Sequence, residues 1–111
     1  MNRSVTPAEL RRWLEEGRDL QILDVRKKTD FEADNHMFAT AKWMDPERVA
    51  DWTAGLSQKA TIVVYCVHGH AVSNGVVDGL RARGLNACLI EGGIEGWKAA
   101  GGSTVKKQPG A

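Results

Sequence analysis

Short apolar segments alternate with helical segments along this chain, and that alternation most constrains its fold. Residues 20–25 and 60–66 are rich in branched aliphatic side chains and predict two buried strands. A shorter strand is predicted from residue 86 into the diglycine at 92–93. Strands that alternate with helices are typical of a parallel sheet covered on both faces. The sequence therefore predicts an α/β fold, and 111 residues suffice for one domain with a substantial core.

Capping residues mark where several helices begin. Thr6 and Glu9 have the spacing of a capping box, and Pro7 fits the first helical position between them. Asp45 followed by Pro46 predicts the start of another helix. The predicted helices cover residues 7–16, 29–35 with a cap at 29 or 30, 45–56, 71–84 and 94–102, and a brief extended piece covers 39–44.

Composition excludes several classes of protein. The net charge is +1, so no basic excess favours nucleic acid, and no apolar run is long enough to span a bilayer. The N-terminal residues lack a secretory hydrophobic core, which predicts a cytoplasmic protein without membrane partners. Two cysteines form neither a disulfide framework nor a metal motif, so we expect no metal and no cofactor.

Residues 1–102 are assigned to a single domain and the polar residues 103–111 to a flexible tail.

Cys66 ends the strongest predicted strand and is followed by a short loop and a helix. In parallel sheets, ligands bind beyond the carboxyl ends of the strands. Loop amides and a helix N-terminus favour an anion there, so we expect a reactive thiolate, with Gly69 allowing a tight turn and His68 and His70 lining the bowl. The alternative is a small buried apolar residue, which is the preferred interpretation for Cys88 inside its strand.

Four segments in this order resemble the single-domain rhodanese, or thiosulfate sulfurtransferase-like, family. They are "ILDVR" (22–26), "CVHGHAVS" (66–73), "LRARG" (80–84) and "LIEGGIEGW" (89–97), and the resemblance covers roughly residues 5–102. It implies a rhodanese-like fold, with a five-stranded, mainly parallel sheet flanked by helices on both faces. It also implies that Cys66 takes a sulfane sulfur from thiosulfate or a persulfide and passes it to cyanide, a thiol or a protein acceptor.

The same resemblance implies an anion-binding loop whose backbone amides surround the cysteine. The loop residues are Val67, His68, Gly69, His70, Ala71 and Val72. Ala71 stands where many active members keep an arginine, and "HMFAT" (36–40) replaces the usual "HIPGA" at one rim of the site. Val72 stands where the related phosphatases and arsenate reductases need an arginine for the oxyanion, so those activities are disfavoured.

Asp24 and Arg26 end the strand that precedes the cysteine strand in sequence. They are predicted to support the active loop or to line the substrate mouth, or else to form an ion pair with a structural role, and Glu91 is a hypothetical partner for Arg26. Two further hypotheses stay open for the whole chain. One is a rhodanese-like binding or regulatory module with little activity, and the other is redox sensing through Cys66 and Cys88.

Overall fold

A computed structural model describes residues 2–107 and places seven strands and five α-helices in that range. The strands are β1 (Ser4–Val5), β2 (Leu20–Asp24), β3 (His36–Phe38), β4 (Lys42–Trp43), β5 (Thr61–Tyr65), β6 (Ala87–Ile90) and β7 (Thr104–Lys106). The helices are α1 (Pro7–Glu15), α2 (Lys28–Ala33), α3 (Val49–Trp52), α4 (Ala71–Ala82) and α5 (Gly93–Ala99).

Five strands form one sheet in the order β1-β6-β5-β2-β4, and every neighbouring pair is parallel. The predicted five-stranded parallel sheet is therefore confirmed, with β5 at its centre. Successive side chains of a strand point to opposite faces, so β5 contributes to two separate cores. Val63 and Tyr65 join one cluster, with Leu10 of α1 and Trp97 of α5. Val64 joins the other, where α4 packs on the opposite face.

The start of α1 follows the prediction, and two other helices differ from it. Thr6 Oγ1 accepts from the Glu9 amide at 3.1 Å, and the Glu9 carboxylate accepts from the Thr6 amide, which completes the capping box. Helix α2 begins one residue early, at Lys28, with no side-chain cap, so the predicted cap at 29 or 30 was wrong. Asp45 does cap the amide of Glu47, at 2.9 Å.

The helix predicted over residues 45–56 is divided into three short turns. A 3₁₀ turn over Pro46–Arg48 leads into α3, and a second 3₁₀ turn follows over Thr53–Gly55. The Thr53 hydroxyl donates to the Val49 carbonyl inside this segment. The backbone of Arg48 leaves the helical region, with φ −124° and ψ 32°, and interrupts the segment before α3. The low helix propensity of Gly55 fits the end of the segment.

The segment after residue 102 is not a free tail over the part that the structure describes. Strand β7 pairs antiparallel with β3, with Met37 opposite Val105. The indole of Trp97 donates to the Ser103 carbonyl at 2.8 Å, and a Cβ at Gly102 would overlap that indole. The close passage over Trp97 directs the chain back onto β3, which corrects the flexible-tail prediction for residues 104–106. Residues 108–111 of the predicted tail lie outside the described residues.

None of the helices within residues 2–107 combines the length and the apolar character that a bilayer crossing requires. The candidate site lies at the edge of the parallel sheet where β5 and its neighbour β2 end.

Candidate active site

Cys66 follows the last residue of β5 directly and lies at the carboxyl edge of the parallel sheet. Its side chain is 6% exposed, and its Sγ lies 3.2 Å from the hydroxyl oxygen of Ser73 in the first turn of α4. The loop between β5 and α4 turns at Gly69, which has a φ of +75°. A Cβ there would lie 3.0 Å from the amide nitrogens of Gly92 and Gly93, so the predicted need for glycine is explained by both conformation and space.

The start of α5 holds this loop in place through two backbone bonds. The amide of Ile94 donates to the Cys66 carbonyl at 3.0 Å, and the amide of Glu95 donates to the Val67 carbonyl at 3.1 Å. A Cβ at Gly93, where φ is +63°, would overlap the Val67 carbonyl oxygen. The N–H and C=O groups of a trans peptide point in opposite directions, so the amides of Val67 and His68 face away from α5.

The first turn of α4 adds further amides on the same loop. The first backbone bond into the helix runs from the Asn74 amide to the His70 carbonyl, at 3.1 Å. The amides of residues 71–73 have no acceptor within the helix, as at any helix N-terminus. This geometry supports the prediction that residues 67–72 form an anion-binding loop, with Ala71 exposed and without charge.

Two clefts are lined in part by residues of the loop. His68 and His70 are exposed, with ring centroids 6.2 Å apart, and line a cleft of about 350 Å³ together with Arg3. Val72 borders a second cleft of about 250 Å³, whose rim carries Lys27. The two histidines line the first of these clefts. Among residues 2–107, no group of three or more His, Cys, Asp or Glu side chains could hold a metal ion.

The sequence reasoning did not identify Arg3, Lys27 or Ser73 as residues near the site. Arg3 is 63 positions from the cysteine and reaches the cleft because β1 pairs with β6; its guanidinium donates to Asn74 Oδ1 at 2.7 Å. The position of Lys27 just beyond β2 was a usable signal, because the ends of parallel strands converge at one edge. Ser73 offered no signal beyond its place in the loop motif.

Asp24 and Arg26 form a buried ion pair at the end of β2. They are 0% and 1% exposed, and Arg26 Nη2 lies 2.6 Å from Asp24 Oδ2. The Tyr65 hydroxyl donates to the same carboxylate oxygen at 2.8 Å. Burial and the Asp24 charge raise the pKa of Tyr65 far above its usual value, so the phenol remains a proton donor.

This buried pair corrects two expectations about the end of β2. Arg26 Nη1 binds Asp34 at 2.9 Å, whereas Glu91 is exposed and lines the His68 cleft, so the hypothetical Arg26–Glu91 pair was wrong. Buried side chains do not line a substrate mouth, and the structural interpretation of Asp24 and Arg26 is the one that the geometry favours.

Cys88 lies in the core, on the opposite face of the sheet from the Cys66 contact. Cys88 is 1% exposed and clusters with Val63, whereas Ser73, which contacts Cys66, belongs to the helix that packs on the Val64 face. Both cysteines are free thiols, and burial raises the pKa of the Cys88 thiol to about 11. These positions favour the core-packing interpretation of Cys88 and disfavour a disulfide between the two residues.

The fold and the loop define a class of α/β domain with a cysteine at the carboxyl end of its central strand. The chain belongs to the rhodanese-like domain family, whose model matches residues 6–100.

Solved structures of similar proteins agree with this assignment. A rhodanese-related protein from Thermoplasma volcanium is 27% identical, with a TM-score of 0.82 over 96% of this chain and 100% of that one. A rhodanese-like domain protein from Staphylococcus aureus is 28% identical, with a TM-score of 0.80 over the same shares.

A curated relative is much longer than this chain. It is named "Probable adenylyltransferase/sulfurtransferase MoeZ", comes from Mycobacterium tuberculosis and is 29% identical over 97 residues. The match covers 85% of this chain and 24% of the relative, so the chain spans about a quarter of that protein's length.

Proposed function

We propose that this protein is a sulfurtransferase that carries a sulfane sulfur as a persulfide on Cys66. The observation that carries the proposal is the anchoring of the Cys66 and Val67 carbonyls to α5, which turns the neighbouring loop amides away from that helix. Such amides stabilise negative charge at the sulfur. Membership of the rhodanese-like family and the sulfurtransferase relative support the same reaction class.

The reaction consists of two attacks at sulfur. In loading, the Cys66 thiolate attacks the outer sulfur of thiosulfate or of an organic persulfide. The new S–S bond forms as the donor S–S bond breaks, and sulfite or the donor thiolate leaves with the electron pair. In discharge, cyanide or a thiol attacks the outer sulfur, and the Cys66 thiolate leaves. The loop amides hold the charge of the outer sulfur between the two steps.

The lack of a cation in the loop at Ala71 favours organic persulfides over thiosulfate as donors, because nothing there pairs with a compact dianion. Arg3 and Lys27 each line a cleft beside the loop, together with Glu91 and Glu47 respectively. An organic donor that carries a carboxylate could pair with one of these cations. The acceptor is a small thiol, cyanide or a protein thiol, and the two free cysteines fit a reducing cytoplasmic setting.

Intact-mass measurement after incubation with each donor tests the proposal. We expect a gain of about 32 Da, the mass of one sulfur atom, on the wild type and on Cys88→Ser, and none on Cys66→Ser. Cys88→Ser is the matched control because it removes the other thiol of the chain. Absence of the adduct with thiosulfate and with all organic persulfides would overturn the proposal.

A binding or regulatory module is the second candidate function. The missing charge at Ala71 and the 6% exposure of Cys66 favour it. The pH dependence of thiol alkylation distinguishes the two candidates. The profile of a sulfurtransferase should have its midpoint at least one pH unit below that of an ordinary cysteine peptide, because only the thiolate reacts. A midpoint equal to that of the peptide would favour the binding role.

A further inference from the structure

Ser73 has a buried hydroxyl in direct contact with the reacting sulfur. Its side chain is 0% exposed, and its Oγ lies 3.2 Å from Cys66 Sγ, with the thiol as donor. The hydroxyl in turn points to the His70 carbonyl, at 3.4 Å. The two bonds form a short chain from the thiol through Ser73 to the backbone.

The direction of the hydrogen bond between Cys66 and Ser73 changes when Cys66 loses its proton. A thiolate has no proton to donate and accepts hydrogen bonds, whereas a serine hydroxyl can rotate and donate to either neighbour. The bond to His70 is long, so little is lost when the hydroxyl leaves it. A bond to an anion is roughly twice as strong as a neutral one, which favours rotation toward the sulfur.

We propose that Ser73 is a further catalytic residue, whose hydroxyl donates to the Cys66 thiolate when that sulfur attacks and when it leaves. The inference rests on the proposed sulfur transfer for its second half. In loading, the S–S bond to Cys66 forms and the donor takes the electron pair of its broken bond. In discharge, the acceptor takes the outer sulfur, and the electron pair of that S–S bond returns to the Cys66 sulfur. The Ser73 hydroxyl then donates a hydrogen bond to the thiolate that forms.

The two half-reactions depend on Ser73 to different extents. In loading, the bond raises the fraction of thiolate near neutral pH but lowers its nucleophilicity, and the two effects partly cancel. In discharge, Cys66 is the leaving group, and a less basic thiolate leaves faster. Ser73 therefore accelerates discharge more than loading.

The pH dependence of Cys66 alkylation by iodoacetamide tests the first half without any sulfur donor. All proteins carry Cys88→Ala, so that Cys66 is the single thiol. We expect Ser73→Ala to move the midpoint upward by about one pH unit, because a hydrogen bond to a charged group is lost. Its rate should be lower at acidic pH and about threefold higher on the alkaline plateau. Ser103→Ala, at an exposed position, is the matched control.

The rate–pH profiles of the wild type and of Ser73→Ala should therefore cross, with the variant slower in acid and faster in alkali. A packing defect cannot produce such a crossing. A midpoint unchanged within about 0.2 pH unit, or a rate reduced by one common factor at every pH, would overturn the proposal. Ser73→Thr keeps the hydroxyl and should return the midpoint toward the wild type. Should its extra methyl group unfold the protein, the crossing of the Ser73→Ala profile still decides.

Single-turnover kinetics test the second half on persulfide-loaded protein. We expect Ser73→Ala to discharge to cyanide about threefold more slowly, while loading at alkaline pH becomes about threefold faster. Equal slowing of both steps at alkaline pH would overturn the leaving-group role. If the wild type forms no persulfide, the proposed function fails, whereas the alkylation profile still confirms or refutes the bond between Ser73 and the thiolate.

Discussion

The ends of β5 and β2 lie side by side at one edge of the sheet, yet their polar groups are used in opposite ways. At the end of β2, Asp24 and Arg26 are fully buried and satisfy each other together with Tyr65. At the end of β5, the loop carbonyls bond to α5, and the amides face away from it. Buried side chains whose hydrogen-bonding groups all have partners stabilise the fold, whereas backbone amides without an internal acceptor can bind an incoming anion.

This contrast predicts that the β2 end controls stability and that the β5 loop controls reactivity. Variants at the two places separate the two properties, and the expected effects decrease in the order given below.

The largest loss of stability is expected for Arg26→Met. The change leaves the Asp24 carboxylate buried without its cation, which typically lowers the free energy of unfolding by about 3–5 kcal/mol. Urea denaturation measures this loss, and alkylation of Cys66 in the folded fraction should stay within about twofold of the wild type. The double variant Asp24→Asn/Arg26→Met removes both charges and should recover part of the stability. A large change in reactivity with unchanged stability would contradict the proposed division of roles.

Gly93→Ala should damage the loop more than the fold. A Cβ at this position lies 2.6 Å from the Cys66 carbonyl oxygen and also requires a positive φ, so the loop must move. We expect the free energy of unfolding to fall by about 2–3 kcal/mol and persulfide loading to fall at least tenfold.

Gly84→Ala is the matched control for the glycine substitution. Gly84 has a similar φ of +79°, but a Cβ there meets nothing within 4 Å. Gly84→Ala should lower the free energy of unfolding by about 1–2 kcal/mol and leave persulfide loading unchanged. Equal loss of loading in both variants would show that backbone strain alone, rather than the loop contact, governs reactivity.

Stability should fall in acid because of Asp34. Burial opposes the ionisation of this carboxyl, but bonds from Lys98 and from the His36 amide outweigh burial and lower its pKa to about 2. Because the folded pKa lies below the unfolded value of 3.8, the stabilisation is complete well above pH 4 and disappears as the pH falls through about 2.

Asp34→Asn isolates that acid-dependent contribution. We expect a loss of about 1–2 kcal/mol in the free energy of unfolding at pH 7 and a shallower decrease between pH 4 and pH 2. Denaturant titrations at several pH values measure both quantities. An unchanged slope in that window would assign the acid sensitivity to other carboxyls.

The smallest effect is expected for Arg3→Gln at the His68 cleft. Arg3 pairs with the exposed Asp78 at 2.7 Å, and such pairs contribute about 0–1 kcal/mol to stability. Loading by an anionic organic persulfide should slow by a few fold at low salt and less at high salt. Arg12→Gln, an exposed change on α1, serves as the control. A salt-independent effect would argue against a role for this charge in donor binding.

Local patterns predicted the parts of the molecule that depend on neighbours in sequence. Residue type and spacing predicted the capping box at Thr6, the loop glycine and the central strand, which was expected over 60–66 and spans Thr61–Tyr65. The pairing of β7 with β3 was missed because a polar three-residue strand carries no hydrophobic pattern.

Local patterns also could not predict which residues far apart in sequence contact each other. Both Asp34 and Glu91 are acidic residues that follow a strand or a short helix, and only the folded chain brings Asp34 to Arg26. The contact of Ser73 with Cys66 depends on the rotation of α4 about its axis, which a single loop motif does not specify.

The attachment of the cysteine loop to α5 also gives the protein an internal optical reporter. The same short helix donates its amides to the loop and carries Trp97, whose buried ring lies 4.8 Å from that of Phe38. A loop displaced by an added sulfur atom would shift this helix and change the surroundings of the indole. With Trp13, Trp43 and Trp52 replaced by phenylalanine, the emission of Trp97 should follow each turnover in real time.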